Sequence, residues 1–303
     1  MLRIEMRLLI VGGAGYFGAR LAEALQNAAE VTVTLRSTSP IKEAWLQQSG
    51  LCHVRYDSAV HDGIAVDGRF DAIINLAMPG AAEAARDPEA AHAKALSAAR
   101  ACVKLLDNGQ AARLLHFSSF HVYGAGGRDC FDESDAPAPV HPYGLAHLAC
   151  EQFLSGDERV WIVRPSNMFG APAHADLGDQ ARLLFVDLCK QAASGTMKLQ
   201  NDGLSYRAFL PFPDGIAAVR LLLRAEAQPT RLFNLASGES MRLDEVARLI
   251  QMAAEATPTL EFGSGQDAFR RPFTIRNERL RKLGWQPTAS LSEEAAKMVQ
   301  FFL

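Results

Sequence analysis

Three glycines at three-residue spacing, Gly12, Gly15 and Gly18, are the strongest local sign of chemistry in this chain. They lie in Gly12-Gly13-Ala14-Gly15-Tyr16-Phe17-Gly18, between the aliphatic run Leu8-Leu9-Ile10-Val11 and an amphipathic stretch. Glycine admits positive φ and lets backbone N–H groups approach an anion closely, while the helix that follows turns its positive end toward it. The chemistry expected is the cradling of a dinucleotide pyrophosphate, with Gly12, Gly15, Tyr16, Phe17 and Gly18 as its contacts. Cofactor choice is read at the end of the second strand, where an acid about 20 residues on would hold a ribose 2′-hydroxyl. Here Leu35-Arg36-Ser37-Thr38-Ser39 stands instead, with Arg36 18 residues past Gly18 (36 − 18). A guanidinium flanked by hydroxyls holds a 2′-phosphate that a carboxylate would repel, so NADP(H) is favoured over NAD(H). Asp57, which ends the third strand, is expected at the adenine or in a turn.

Such a turn needs a strand before it and a helix after it, and the first half of the chain repeats that unit. Short aliphatic runs at Arg7–Val11, Val31–Leu35, Cys52–Tyr56, Asp71–Leu76, Ala112–Ser118 and Arg159–Arg164 read as strands buried on both faces. Tyr16–Ala28, Pro88–Leu106 and Tyr143–Leu154 read as helices between them. Beyond Arg164 the rhythm loosens. Helices are expected near Asp176–Ala193, Asp214–Arg224 (capped by Asp214), Leu243–Ala256 and Leu291–Phe302, with strands near Met197–Gln200, Tyr206–Pro211 and Arg231–Asn234. The pattern predicts an α/β fold: a Rossmann-type doubly wound parallel sheet with a smaller C-terminal α/β substrate lobe. Residues 1–165 form the NAD(P)-binding domain, its sheet completed by about 212–235, and residues 166–303 form the interleaved substrate-binding lobe.

Composition sets the outer bounds. The 303 residues are 49% hydrophobic and 21% charged, an ordinary globular mix that excludes disorder and collagen-like repeats. Lys plus Arg (31) nearly balances Asp plus Glu (34), so no nucleic-acid partner is expected. No apolar run approaches the roughly 18 residues of a membrane span. The alternating start, Met1 to Arg7, reads as no signal peptide. Five cysteines without a closely spaced pair predict neither disulfides nor zinc, and a cytoplasmic location is the default. The scattered histidines predict no metal site.

Further motifs make a resemblance specific: Asp71-Ala72-Ile73-Ile74-Asn75-Leu76-Ala77, Ser118-Ser119-Phe120-His121-Val122-Tyr123-Gly124, Pro142-Tyr143-Gly144-Leu145-Ala146-His147, Arg164-Pro165-Ser166-Asn167-Met168-Phe169-Gly170 and Leu283-Gly284-Trp285-Gln286-Pro287. With the glycine turn, they make the chain resemble the extended short-chain dehydrogenase/reductases, the NAD(P)-dependent sugar-nucleotide epimerase/dehydratase family, over essentially its whole length. The resemblance implies that Tyr143 is the general acid/base, that Ser119 hydrogen-bonds the reacting oxygen, and that Leu76 and Ala77 line the cofactor. It implies a nucleotide-diphosphate sugar as partner, met by Asn167, Arg207 and Arg271 (Arg270 being the alternative register), and a homodimer built on the helices around Ala91–Leu106 and Tyr143–Phe153. Ala95, Ala98, Ala99, Ala146 and Ala149 are expected to allow close approach of those helices.

One departure stands out. The family places Lys four residues after the tyrosine, touching the cofactor and lowering the tyrosine's pKa; here it is His147. With ordinary pKa values of about 10 and 6.5, a phenolate–imidazolium pair is a ~10^−3.5 minority, a handicap near 5 kcal/mol. Reduction of a carbonyl starts from the abundant phenol, so the substitution points to 4-keto reduction, with C4 epimerisation close behind. Phe120-His121 replaces the Asp-Glu pair of the family's dehydratases, which disfavours dehydration. His121 is expected as a packed residue or a substitute acid. The alternative reading is a catalytically degraded dinucleotide-binding protein acting as a sensor or assembly partner.

Overall fold

The computed structural model describes residues 6–124, 128–180, 183–226, 228–254, 257–265 and 269–303, and the chain divides into two compact units. Residues 1–5 of the alternating start, 181–182 within one expected helix and 255–256 at the end of another lie outside the described residues.

The first unit comprises Met1–Gly124, Ala136–Arg164 and Leu223–Phe233. Its sheet is built from β1 (Met6–Val11), β2 (Ala29–Leu35), β3 (Cys52–Arg55), β4 (Ala72–Asn75), β5 (Leu114–Phe117), β6 (Val160–Pro165) and β7 (Leu232–Leu235). They lie in the order β7-β6-β5-β4-β1-β2-β3. Neighbours run parallel: Leu8 sits opposite Val31 and Ala72, Ile73 opposite Leu114, and Leu115 opposite Trp161. Strand order reverses between β1 and β4, which makes their carboxyl ends the switch point where such sheets bind ligands. The inner strands are aliphatic because both faces are covered, and Leu9, Ile10, Val11, Ile73 and Ile74 are fully buried. The edge strand β3 exposes Cys52, His53 and Arg55.

Five helices accompany the strands: α1 (Tyr16–Leu25), α2 (Pro40–Ser49), α3 (Ala81–Arg86), α4 (Pro88–Asp107) and α5 (Pro142–Leu154). Helix α2 had no counterpart among the expected elements, yet its punctuation is in the sequence. Ser39 accepts a hydrogen bond from Lys42 N–H, Pro40 opens the first turn and Gly50 closes the helix at φ 67. Of the alanines expected to let these helices approach, Ala95, Ala99 and Ala146 lie in one core cluster with Leu9, Ile73 and Leu114, Ala98 is fully buried and Ala149 is half-buried. Their smallness brings α4 and α5 together within a single chain.

The second unit comprises Ala125–Asp135, Pro165–Leu222 and Asn234–Leu303. It holds short paired strands, 167–169 with 209–211, 196–201 with 259–265 and 130–131 with 274–275, all parallel, and 206–207 antiparallel to 241–242. The expected single strand over 206–211 is therefore split at Ala208 between two partners. The helices are Ala175–Gln180, Leu184–Ala193, Phe212–Arg224, Leu243–Ala253, Glu278–Lys282 and Leu291–Phe302. Asp214 is not the cap expected of it. It lies inside the first turn, 2% exposed, and its carboxylate accepts the N–H groups of Thr288 and Ala289. Among the described residues, no helix is long and apolar enough to cross a membrane.

Candidate active site

The glycine turn follows β1 directly, and each glycine has a separate steric reason. Gly12 has φ 80, and a Cβ there would lie 3.0 Å from the Ala77 nitrogen and 3.1 Å from the Leu76 carbonyl carbon. A Cβ on Gly18 would sit 2.5 Å from the Gly12 oxygen, so the helix rests on the turn only because residue 18 has no side chain. Gly15 is the N-cap of α1 and provides no side-chain cap. Nor does the first turn of α1 carry an acid, so the positive end of its dipole is not offset there by a carboxylate. Tyr16 and Phe17 open the helix, half-buried. Arg36 is exposed just beyond β2. Close to it in the chain, the buried Lys42 reaches back to donate to the Ser37 carbonyl at 2.9 Å, a second cation that pattern reading overlooked. The Asp57 carboxylate accepts the Ala59 N–H at 3.0 Å, which places it in a turn.

The second cluster forms beyond β5. Ser119, 4% exposed, precedes a single helical turn at Phe120–Tyr123, and its Oγ accepts the His121 N–H at 3.2 Å. Tyr143, half-buried at the start of α5, hydrogen-bonds through its hydroxyl to Ser119. His147 follows one helical turn later, with its ring 4.5 Å from the Tyr143 ring. The three residues singled out in the sequence are therefore adjacent in space.

Burial decides their protonation. His147 is 2% exposed, and neither ring nitrogen has a hydrogen-bond partner among the described residues. Burial, and then the neighbouring His116, His121 and His141, hold its pKa well below the usual imidazole value, so it is neutral at pH 7. Burial raises the Tyr143 pKa, and the Ser119 hydrogen bond acts against that rise. The resting state is a neutral phenol beside a neutral imidazole, with the phenolate scarcer still than ordinary pKa values imply. Such a tyrosine is poised to give a proton to a developing alkoxide.

Sequence reading missed the rest of this cluster. His116 on β5 is fully buried, receives a hydrogen bond from the Asn75 amide at 3.1 Å and has its pKa pushed down to about 4 by burial. Asn75 also accepts the Ala77 N–H at 3.1 Å, fixing the backbone that faces Gly12. His141 caps α5 through its Nδ1. Beneath Ser119, buried Arg164 on β6 makes two hydrogen bonds to Glu151 of α5, at 2.9 and 2.6 Å, and the Ser118 hydroxyl donates to the same carboxylate. Asn75 and Arg164 stand in the motifs quoted above, but no motif pairs them with His116 and Glu151, although the spacing of Glu151 one turn after His147 offered a clue.

Of the expected substrate residues, Ser119 lies in the first unit, and Asn167, Arg207 and Arg271 lie in the second. Asn167 is half-buried and donates from its amide to the Ala208 carbonyl at 2.9 Å. Arg207 stacks over Phe269, with its guanidinium carbon 5.6 Å from the ring centre. The register between the two neighbouring arginines is distinguished by charge. Arg270 is held by Asp202 through two bonds of 2.7 and 2.9 Å, whereas Arg271 is exposed and has no hydrogen bond or ion pair among the described residues. No cluster of three or more potential metal ligands occurs among the described residues.

The residues present fit a redox dinucleotide on two observations: a turn that any Cβ would fill, and a buried imidazole with unpartnered nitrogens four residues after the tyrosine. Comparison with known proteins agrees. The model of the NAD dependent epimerase/dehydratase family matches residues 8–236. The low-salt glycan biosynthesis protein Agl12 of Haloferax volcanii is 24% identical over 317 aligned residues, covering 98% of this chain and 99% of that protein. The structure of UDP-N-acetylglucosamine 4-epimerase from Methanobrevibacter ruminantium superposes with a TM-score of 0.84 at 18% identity, covering 98% of each chain. RMD from Pseudomonas aeruginosa, complexed with NADPH, gives 0.80 at 21% identity, again over 98% of each chain. At these identities the structural likeness establishes the fold.

Proposed function

The chain belongs to the NAD dependent epimerase/dehydratase family, and from that premise we propose that it reduces the 4-keto group of a nucleotide-diphosphate sugar with NADP(H). The observation that carries the reading is the neutral Tyr143, hydrogen-bonded to Ser119 and backed by a neutral His147. A dinucleotide held there would supply hydride to the carbonyl carbon. Tyr143 gives its phenolic proton to the carbonyl oxygen as charge develops there, and the Ser119 hydroxyl donates a second hydrogen bond to the same oxygen. His147 directs its free nitrogens to the ribose hydroxyls. The glycine turn and the start of α1 hold the pyrophosphate, Leu76 and Ala77 supply backbone beside it, and Arg36 with Lys42 faces the 2′-phosphate. In the second unit Arg207 and the exposed Arg271 bind the sugar's diphosphate, with Asn167 nearby. C4 epimerisation uses the same groups but must first remove a proton from an alcohol, which requires the scarce phenolate. The exposed side of α4 and α5, where Leu145 and Phe153 face solvent, forms a homodimer; a monomer's elution volume at micromolar concentration contradicts that part.

The test pairs turnover with binding. Stoichiometric NADPH oxidation with a 4-keto nucleotide sugar is expected, and Tyr143→Phe should lower kcat by about 10²- to 10⁴-fold while NADPH still binds. Arg36→Ala should weaken NADPH binding about tenfold and leave NADH unchanged, since a charge-assisted hydrogen bond is worth roughly 1.5 kcal/mol or more. Unchanged turnover in Tyr143→Phe contradicts the catalytic assignment, and equal losses for both dinucleotides contradict the cofactor assignment.

A further inference from the structure

Ser119 and Tyr143 sit on different segments, and the contact between those segments is tight at the backbone. A Cβ on Gly144 would meet the His121 oxygen at 2.7 Å, and Gly124, with φ 82, passes so close to Ala138 that a Cβ would overlap its carbonyl oxygen. The Ala138 N–H also donates to the Val122 carbonyl at 2.9 Å. Across this junction stand two half-buried histidines. His121 lies on the turn after Ser119 and His141 at the cap of α5, and His141 Nε2 is 3.2 Å from His121 Nδ1. The His121 ring packs edge-on against Tyr143 with centroids 5.6 Å apart.

The cap fixes the protons. Gly144 N–H donates to His141 Nδ1 at 3.2 Å, so that nitrogen carries no proton. In a neutral imidazole the proton is then on Nε2, which donates to His121 Nδ1 and so leaves the His121 proton on its own Nε2. A second proton on either ring puts N–H against N–H. On His141 it also places positive charge at the positive end of the α5 dipole.

We propose that the His121–His141 pair is a clasp that positions Ser119 against Tyr143, and that it holds only while both rings are neutral. This rests on the proposed role of Tyr143, and both histidines act as positioning residues. The titratable groups gathered around the pair are Tyr143 and His147 on α5, His116 on β5 and Tyr123 on the same turn. Burial pushes the His116 pKa down to about 4 and holds that of His147 well below the usual imidazole value, so both resist a second proton more than an ordinary imidazole does. An acid-side loss that disappears in variants of the pair therefore reports on the clasp.

Two measurements separate the clasp from the enzymatic reading. Long-range 1H–15N spectra of the cofactor-free protein, assigned with His121→Phe and His141→Asn, need no substrate. At pH 8 both rings should be Nε2-protonated, and removing either histidine should perturb the other; an Nδ1 proton on either ring overturns the proposal. In turnover, the kcat of the parent protein should fall as the pH is lowered from 8 to 5. His141→Asn keeps an oxygen to cap Gly144 without titrating. It should lose roughly tenfold to a hundredfold in kcat at pH 8, the scale of a small misplacement, and its acid-side decline should flatten. His121→Phe, which keeps the ring packing, should behave likewise. An acid limb of unchanged steepness in both variants overturns the clasp and leaves the assignment of Tyr143 standing.

Discussion

The glycine turn and the tyrosine cluster lie beyond the carboxyl ends of β1 and β5, on either side of β4, yet they are built from different materials. The turn is backbone. Gly12 needs positive φ, a Cβ on Gly18 would strike the Gly12 oxygen, and a Cβ on Gly12 or Gly15 would crowd main-chain atoms at 3.0 Å. The tyrosine cluster is side chain throughout, with Ser119, Tyr143 and four histidines drawn from β5, a helical turn and α5. A site made of backbone amides has no titrating group of its own. A site made of imidazoles and a phenol has its properties set by burial, and here burial leaves every member with a resolved shift uncharged at pH 7.

The largest expected effect breaks the side-chain half. Glu151→Ala leaves Arg164 buried without its carboxylate, and removing one partner of such a pair costs about 3–5 kcal/mol. Urea denaturation should show that loss; one within the range of a surface substitution contradicts the role given to the pair. The acid response follows. The ordinary value for His116 is 6.5 and its native value is about 4. Between these the unfolded chain holds a proton that the native state lacks, so stability falls as pH is lowered through the window. The loss is about 3 kcal/mol, to which His147 adds in the same direction. His116→Gln, which keeps a partner for Asn75 and does not titrate, should flatten the decline between pH 6.5 and 4, and an equally steep decline argues against a neutral buried imidazole. The smallest effect falls on the backbone half. Gly18→Ala must move main chain, at about 1–3 kcal/mol. It should weaken NADPH binding with no change in pH dependence.

The two regions also differed in how far they could be read from the sequence. The glycine turn is contiguous, and its strand–turn–helix context made both the fold and the phosphate cradle legible. The same is true of the inner strands, whose unbroken aliphatic runs reflect burial on both faces. Ser119, Tyr143 and His147 were reached through motif order, and the structure brings them together. The roles of His116, His141, Asn75 and the Glu151–Arg164 pair were not legible, even though Asn75 and Arg164 stand in quoted motifs, because each matters through a neighbour distant in the chain. His147 was read as a weakened cation; burial among other histidines makes it no cation at all. The alanines of α4 and α5 have a related limit: Ala95, Ala99 and Ala146 pack within this chain, since a small residue permits close packing without saying whether the neighbour is in the same chain.

The chemistry of the site turns on the protonation of one phenol, and an absorbance titration near 295 nm reads it directly. The chain has five tyrosines, so the signal of interest is the parent protein minus Tyr143→Phe, followed from pH 6 to 11. A difference centred above the ordinary phenol value is the result predicted for a neutral proton donor. A phenolate step between pH 6 and 8 would contradict it, and would mean that the cluster around His147 supplies the positive charge denied to it here.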